Sequence, residues 1–161
     1  MAGMLSIPRE LSVRDNKLIQ TPLEDLKQLR SETHSVSGNI NLASQSFELE
    51  FETDQEFTLE LKNKEGNSLL FSMTEQEFKL DRSNNSHIYA EEYGLVRLAP
   101  RTVKQQTIRL FVDRSVIEIF INNGEHTMTS RFFINNMCQL LLSKNLLAKL
   151  YLLSPIEGLQ Q

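Results

Sequence analysis

Asn123-Gly124 constrains this chain more than any other pair of residues. Apolar residues alternate on both sides of it, from Ile117 to Ile121 and again around Met128. A type I′ hairpin turn needs positive φ at both central residues, which Asn tolerates and Gly adopts freely. Centring the turn there sets Asn122 opposite Glu125, Ile121 opposite His126, Ile119 opposite Met128 and Ile117 opposite Ser130. An even-numbered loop around Arg114-Ser115 sets Val112 opposite Ile117, Leu110 opposite Ile119 and Ile108 opposite Ile121. Both turns place Ile108, Leu110, Val112, Ile117, Ile119, Ile121 and Met128 on one face, and a slip of one residue would turn the whole set to solvent. Three antiparallel strands over Ile108–Phe133 are therefore expected.

The opposite face carries Arg109, Phe111, Val116, Glu118, Phe120, Thr127, Thr129 and Arg131. Glu118 stands across from Thr129 and diagonal to Arg131, within reach of a cross-strand pair. Such a face can be a binding surface. It can equally be an outer face, half covered by a neighbour and closed by an ion pair, and the abundance of exposed ion pairs favours that second reading.

A chain of 161 residues suits one domain and can bury roughly 70% of its unfolded surface. Its net charge of −4, with both signs interspersed, offers no footprint for nucleic acid. No apolar run is long enough for a membrane helix. The start, Met1-Ala2-Gly3-Met4, lacks the basic segment and apolar core of a signal peptide. One cysteine, Cys138, excludes an internal disulfide, suits a reducing compartment and reads as a small buried hydrophobe. His34 has no cluster of ligand partners, so no metal is expected, and no cofactor motif appears.

Residues 1–10 read as a linker or edge strand, since Pro8 interrupts Leu5–Leu11. Leu11–Ile19 follows as strand, bend at Arg14-Asp15-Asn16, strand. Thr21-Pro22-Leu23-Glu24 has the marks of a helix start, with Thr21 as N-cap, Pro22 first in the helix and Glu24 completing a capping box. A helix of about two turns to Arg30 is expected, with Leu23, Leu26 and Leu29 on one face. Ser31–Gly38 is polar and reads as turn. Phe47-Leu49-Phe51 and Phe57-Leu59-Leu61 read as half-buried strands, the first with Glu48, Glu50 and Glu52 outward in solvent. Further strands are expected at Leu69–Phe71, Glu77–Leu80 and Leu95–Ala99, with a loop over Asp81–His87. Leucines in Met137–Ile156 suit a helix as well, but Asn145 as a break and the short run Leu150–Leu153 favour two strands. Many short strands without βαβ alternation argue for an all-β, two-sheet antiparallel sandwich with one short helix near the N-terminus.

Leu110–Ser115 (LFVDRS), Glu118–Glu125 (EIFINNGE) and Met128–Arg131 (MTSR) closely resemble a signature in the C-terminal β-sandwich domain of glycoside hydrolase family 32. That family includes invertases, levanases, inulinases and bacterial sucrose-6-phosphate hydrolases. Asp113, Arg114, Ser115, Glu118, Phe120, Asn123, Gly124 and Arg131 carry the resemblance, as structural positions. Ile7–Leu11 (IPREL) resembles the stretch leading into the domain, and Thr21–Arg30 is similar to a helix of bacterial members. Glu77–Ser83 resembles the strand and loop upstream of the signature, whereas Val116 departs from the usual Ser. The likeness spans roughly residues 4 to 133.

In that family the chemistry belongs to a five-bladed β-propeller preceding the sandwich, whose three catalytic motifs have no match here. The resemblance implies a non-catalytic accessory domain of a β-fructofuranosidase, packed on its own N-terminal propeller, stabilising it and open to homo-oligomer formation. The segment Thr21–Arg30 leans toward the sucrose-6-phosphate hydrolases, whose phosphorylated substrate implies a cytoplasmic enzyme. Leu5, Ile7 and Pro8 are the first candidate interface, and Phe111 with Phe120 the second. Those phenylalanines need a cover, whether the propeller, the segment Pro22–Arg30 or another copy. A carbohydrate-binding module is the alternative, with Tyr89 and Tyr93 as the aromatics a sugar could stack on. A self-sufficient enzyme would need two carboxylates about 5–5.5 Å apart in a pocket, and no candidate pair stands out.

Overall fold

The structure is a computed structural model describing residues 4–155. Met1–Gly3 and Ile156, the last residue of the expected C-terminal run, lie outside them. In chain order the strands are β1 (Arg9–Arg14), β2 (Lys17–Pro22), β3 (Arg30–Val36), β4 (Asn39–Asn41), β5 (Ser46–Thr53), β6 (Phe57–Lys62) and β7 (Ser68–Met73). They continue with β8 (Glu77–Asp81), β9 (Val96–Pro100), β10 (Gln106–Asp113), β11 (Val116–Ile121), β12 (His126–Arg131), β13 (Gln139–Leu142) and β14 (Ala148–Leu153). Two antiparallel six-stranded sheets, ordered β12-β11-β10-β5-β14-β3 and β4-β13-β6-β7-β8-β9, form the sandwich. A separate hairpin, β1-β2, completes the strands.

Both signature turns set the register that their chemistry requires. Ile108, Leu110 and Val112 pair with Ile121, Ile119 and Ile117, and Ile119 pairs in turn with Met128. On the other flank of β10 the same residues pair with Phe51, Leu49 and Phe47. Three apolar rows thus cross β5, β10 and β11, and all of them enter one core with Leu59, Phe71, Phe78, Leu80 and Leu140 of the facing sheet. Asn123 and Gly124 have φ of 58° and 92°, and Asn122 joins them at 52°. The C-terminal run is two strands, β13 and β14.

Three expectations change. Ser31–Gly38 is largely strand: β3 pairs along its length with β14 and closes the sheet edge. Its mostly polar, exposed sequence masks the strand because an edge position favours such residues. The expected helix is a 3₁₀ helix, Glu24–Leu29, entered at Leu23 without a side-chain cap. Thr21 and Pro22 are occupied elsewhere, pairing with Glu10 and Arg9 in the β1-β2 ladder, so no capping box forms. Finally, Glu48 is not in solvent: it is 0% exposed. Alternation correctly placed it away from the core, but the outer face of that sheet is roofed.

Candidate functional site: the roofed outer face

Strand registers align two rows of side chains across the outer face. Thr129, Glu118, Phe111, Glu48 and Tyr151 form one, from β12 through β11, β10 and β5 to β14. Thr127, Phe120, Arg109, Glu50 and Lys149 form the next. The roof is the chain from Ile7 to Arg30. Its backbone joins the sheet where Gln20 N–H donates to Gly124 O at 3.1 Å, and it closes on itself where Leu23 N–H donates to Pro8 O at 3.1 Å.

Two glutamates buried on that face hold the roof. Glu118, 2% exposed, accepts Ile7 N–H at 3.0 Å on one oxygen and the Arg9 guanidinium at 3.2 Å on the other. Arg9 also donates to Thr129 Oγ1 at 3.0 Å and to Gln20 Oε1 at 2.9 Å, and it lies over the Phe120 ring. Glu48 takes Arg30 through both oxygens, at 2.9 and 2.6 Å, and Arg109 Nε at 2.5 Å. Arg30 stacks 3.7 Å from the Tyr151 ring centre, and Arg109 lies over Phe111. Charge-assisted bonds of this kind are strong, and the aromatic faces shelter them from water.

This arrangement changes the reading of several candidates. The partner of Glu118 is Arg9 and not Arg131, which turns instead toward the rings of Tyr89 and Phe133. Phe111 and Phe120, 6% and 2% exposed, are covered within the chain, so they are not a free interface. Leu5 (96%) and Pro8 are exposed, and Ile7 is half-buried. Pro8 borders an apolar groove of about 600 Å³ with Leu23, Leu26 and Leu29. Asp113 accepts from Ser46 Oγ at 2.7 Å, Arg114 holds the adjoining turn at a φ of 53°, and Ser115 O accepts Phe132 N–H at 2.8 Å. Asn123 is exposed at the tip of its turn, whereas Gly124 is buried beneath Gln20. Tyr93 is exposed, but Tyr89 packs edge-on against Phe133, so the two tyrosines do not form one stacking surface.

Sequence reasoning missed Arg9 and Arg30, the residues that tie the roof down. The signal for Arg9 is its place inside Ile7–Leu11. Arg30 closes the 3₁₀ segment, and neither spacing nor periodicity connects it with Glu48. Among the described residues no group of three His, Cys, Asp or Glu side chains is placed to hold a metal ion. Glu48 is held by two cations and Glu118 by one cation and a backbone N–H, and both lie under cover, so the two carboxylates act as a clasp for the roof.

The clasp also fixes a titration. Burial first, then the hydrogen bond its hydroxyl gives Glu50 at 3.0 Å, raises the Tyr151 pKa above the usual 10. A folded pKa above the unfolded one contributes stability that is present below about pH 10 and is lost as pH rises through the folded value. Ultraviolet phenolate titration should therefore show Tyr151 ionising after an unperturbed tyrosine, and Glu50→Ala should bring it back toward 10. A Tyr151 transition at or below 10 in the unsubstituted chain would contradict the geometry.

Residues 12–145 match the family model described as "Glycosyl hydrolases family 32 C terminal". A sucrose-6-phosphate hydrolase of Vibrio alginolyticus is 49% identical over 159 residues, covering 98% of this chain and 33% of that protein. Another, from Streptococcus mutans, is 35% identical over 139 residues, covering 83% and 29%. The chain thus spans about a third of the length of the curated relatives it matches. Among solved structures, a sucrose-6-phosphate hydrolase from Lactobacillus gasseri superposes with a TM-score of 0.80 at 24% identity, covering 91% of this chain and 33% of that one. A Bombyx mori β-fructofuranosidase superposes at 0.72 with 22% identity, covering 92% and 32%. At these identities the structures speak for the fold.

Proposed function

Since the chain belongs to the family of glycosyl hydrolase family 32 C-terminal domains, we propose that it is the non-catalytic sandwich of a cytoplasmic sucrose-6-phosphate hydrolase. In this reading residues 1–161 form one unit that packs on a catalytic propeller preceding it in the same enzyme, and stabilises that propeller. The observation that carries it is the 49% identity across nearly the whole chain to one third of a sucrose-6-phosphate hydrolase. The physical arrangement supports it. The chain enters at exposed Leu5 and Pro8 and is pinned at once by Ile7 and Arg9 to Glu118, which gives a preceding domain a fixed point of attachment. The apolar groove beside Pro8 supplies adjoining surface of the kind that domain interfaces use.

The test is a thermal melt of a separately expressed family 32 propeller with and without this chain. The propeller should melt several degrees higher in its presence, and Leu26→Asp, which puts a charge in the groove, should remove most of that gain. The chain alone should not hydrolyse sucrose or sucrose 6-phosphate. An unchanged propeller melt, or turnover that survives further purification of the chain alone, would overturn the accessory reading.

A further inference from the structure

Of the four strands that end the two sheets, three are defended as edge strands ordinarily are. β3 is polar and charged, β4 has only three residues, and β12 carries Thr127, Thr129 and Arg131 outside its core row. β9 is the exception. Its Val96 and Leu98 are 40% and 59% exposed, and Pro100 is exposed beside them. Phe78 and Leu80 of β8 enter the core, so their partners Ala99 and Arg97 lie on that side of β9. Val96, Leu98 and Pro100 then form a stripe on the outer side. Backbone bonds alternate in the same way. Arg82 N–H donates to Leu95 O and Arg101 N–H to Gln76 O, so the odd-numbered residues of β9 are the ones bonded to β8. The N–H and C=O groups of Val96 and Leu98 point away from β8, with no partner among the described residues.

Free backbone groups beside an apolar stripe recognise another strand. Symmetry selects which one. A two-fold axis at Leu98 lays β9 antiparallel to β9 of a second copy, Leu98 against Leu98 and Val96 against Pro100. Each copy donates from Leu98 N–H to the other Leu98 carbonyl, and from Val96 N–H to the other Pro100 carbonyl, so Pro100 accepts without the N–H it lacks. Every side chain of the stripe meets an apolar one, and Arg97 falls beside Ala99. Pairing centred on Arg97 would instead set two guanidinium groups face to face, which like charges disfavour. Tyr93 and Val103, exposed just before and just after the strand, fall opposite each other in the same register.

We propose that β9 is a self-association edge, through which two copies of this chain join their β4-β13-β6-β7-β8-β9 sheets into one continuous sheet. This goes beyond the accessory role. The roof and the groove beside Pro8 lie over the other sheet, so both contacts can form at once. A ladder of five residues a side is short, and the dimer is weak, with a dissociation constant of about 100 µM. Sedimentation velocity of the 161-residue chain, from about 10 µM to about 1 mM, should show a monomer–dimer equilibrium. Amide exchange at the two ends of that range places the contact. Val96 and Leu98 should exchange about fourfold more slowly at the higher concentration, by mass action. Arg97 and Ala99, already bonded to β8, should not change. Leu98→Lys puts a charge in the middle of the stripe, and Val96→Pro removes an outward N–H while leaving the β8 ladder whole. Each should raise the dissociation constant about tenfold or more, with the melting midpoint of the monomer unmoved. A monomer across the whole range, a dimer that both variants retain, or new protection at β3 or β12 in place of β9 would each overturn the proposal. The propeller melt reads a different surface, so the two proposals fail separately.

Discussion

Glu48→Leu should destabilise the domain by about 3–5 kcal/mol, the range for leaving a buried ion pair without one partner. For a chain of this size the melting midpoint should fall by roughly 6–20 °C. The substitution strands two cations, because Arg30 and Arg109 both spend their bonds on this one carboxylate. A guanidinium does not shed its proton in proteins, so neither Arg30 nor Arg109 can escape the loss of Glu48 by becoming neutral. Glu52→Leu is the control, two pleat repeats along β5 and exposed. It should stay within about 0.5 kcal/mol. Replacing the whole triad, with Arg30→Met and Arg109→Met added to Glu48→Leu, should recover much of the loss, since apolar groups of like volume can substitute for a buried ionic network. Similar denaturation midpoints for the Glu48 and Glu52 variants would show that Glu48 is hydrated and the roof is open.

That contrast marks where sequence patterning stops. Period-two alternation assigns Glu48, Glu50 and Glu52 to the same face, and the structure agrees. It carries no information on what lies over that face, because the cover comes from Ile7–Arg30, far away in the chain. The register of β10, β11 and β12 was legible because two turns of known geometry bracket an apolar run, so local chemistry and burial demand the same pairing. β3 was not legible: an edge strand that should repel other edges is polar, and its reason to be a strand lies in the Ala148–Leu153 partner. The 3₁₀ segment shows a third kind of failure. Thr21-Pro22 fits a cap locally, but the ladder with Arg9 and Glu10 claims those residues first. For the site, Glu118 was visible as a charged residue on a signature strand, while its partner Arg9 was not, since a cross-strand diagonal to Arg131 was the nearest local answer.

Gly124 joins the legible and the illegible in one residue, and Gly124→Ala separates them. The positive φ was predictable from the Asn-Gly turn. The close approach was not: a Cβ at this position would stand 2.0 Å from Gln20 O and 2.5 Å from its carbonyl carbon. Those are backbone atoms of the roof, so no side-chain rotation relieves the overlap. Gly66 supplies the control, with φ of 91° against 92° and nothing within 4 Å of its would-be Cβ. Gly66→Ala should cost only the backbone strain, about 1–3 kcal/mol. Gly124→Ala should cost that strain plus the loss of the roof, because β2 must lift and the Gln20 N–H to Gly124 O bond must break. Gly124→Val should be worse again, since a β-branched side chain resists positive φ more strongly. The damage should be local before it is global. Hydrogen exchange ought to quicken at the paired amides of β1 and β2 and trypsin should cut within that hairpin, while the amides of Leu110 and Ile119 stay protected. Detachment would also uncover Phe111 and Phe120, giving a dye-binding apolar patch on a still folded sandwich. Equal costs for the alanine variants at Gly66 and Gly124, with β1 and β2 exchanging as before, would mean that the hairpin does not rest on the turn.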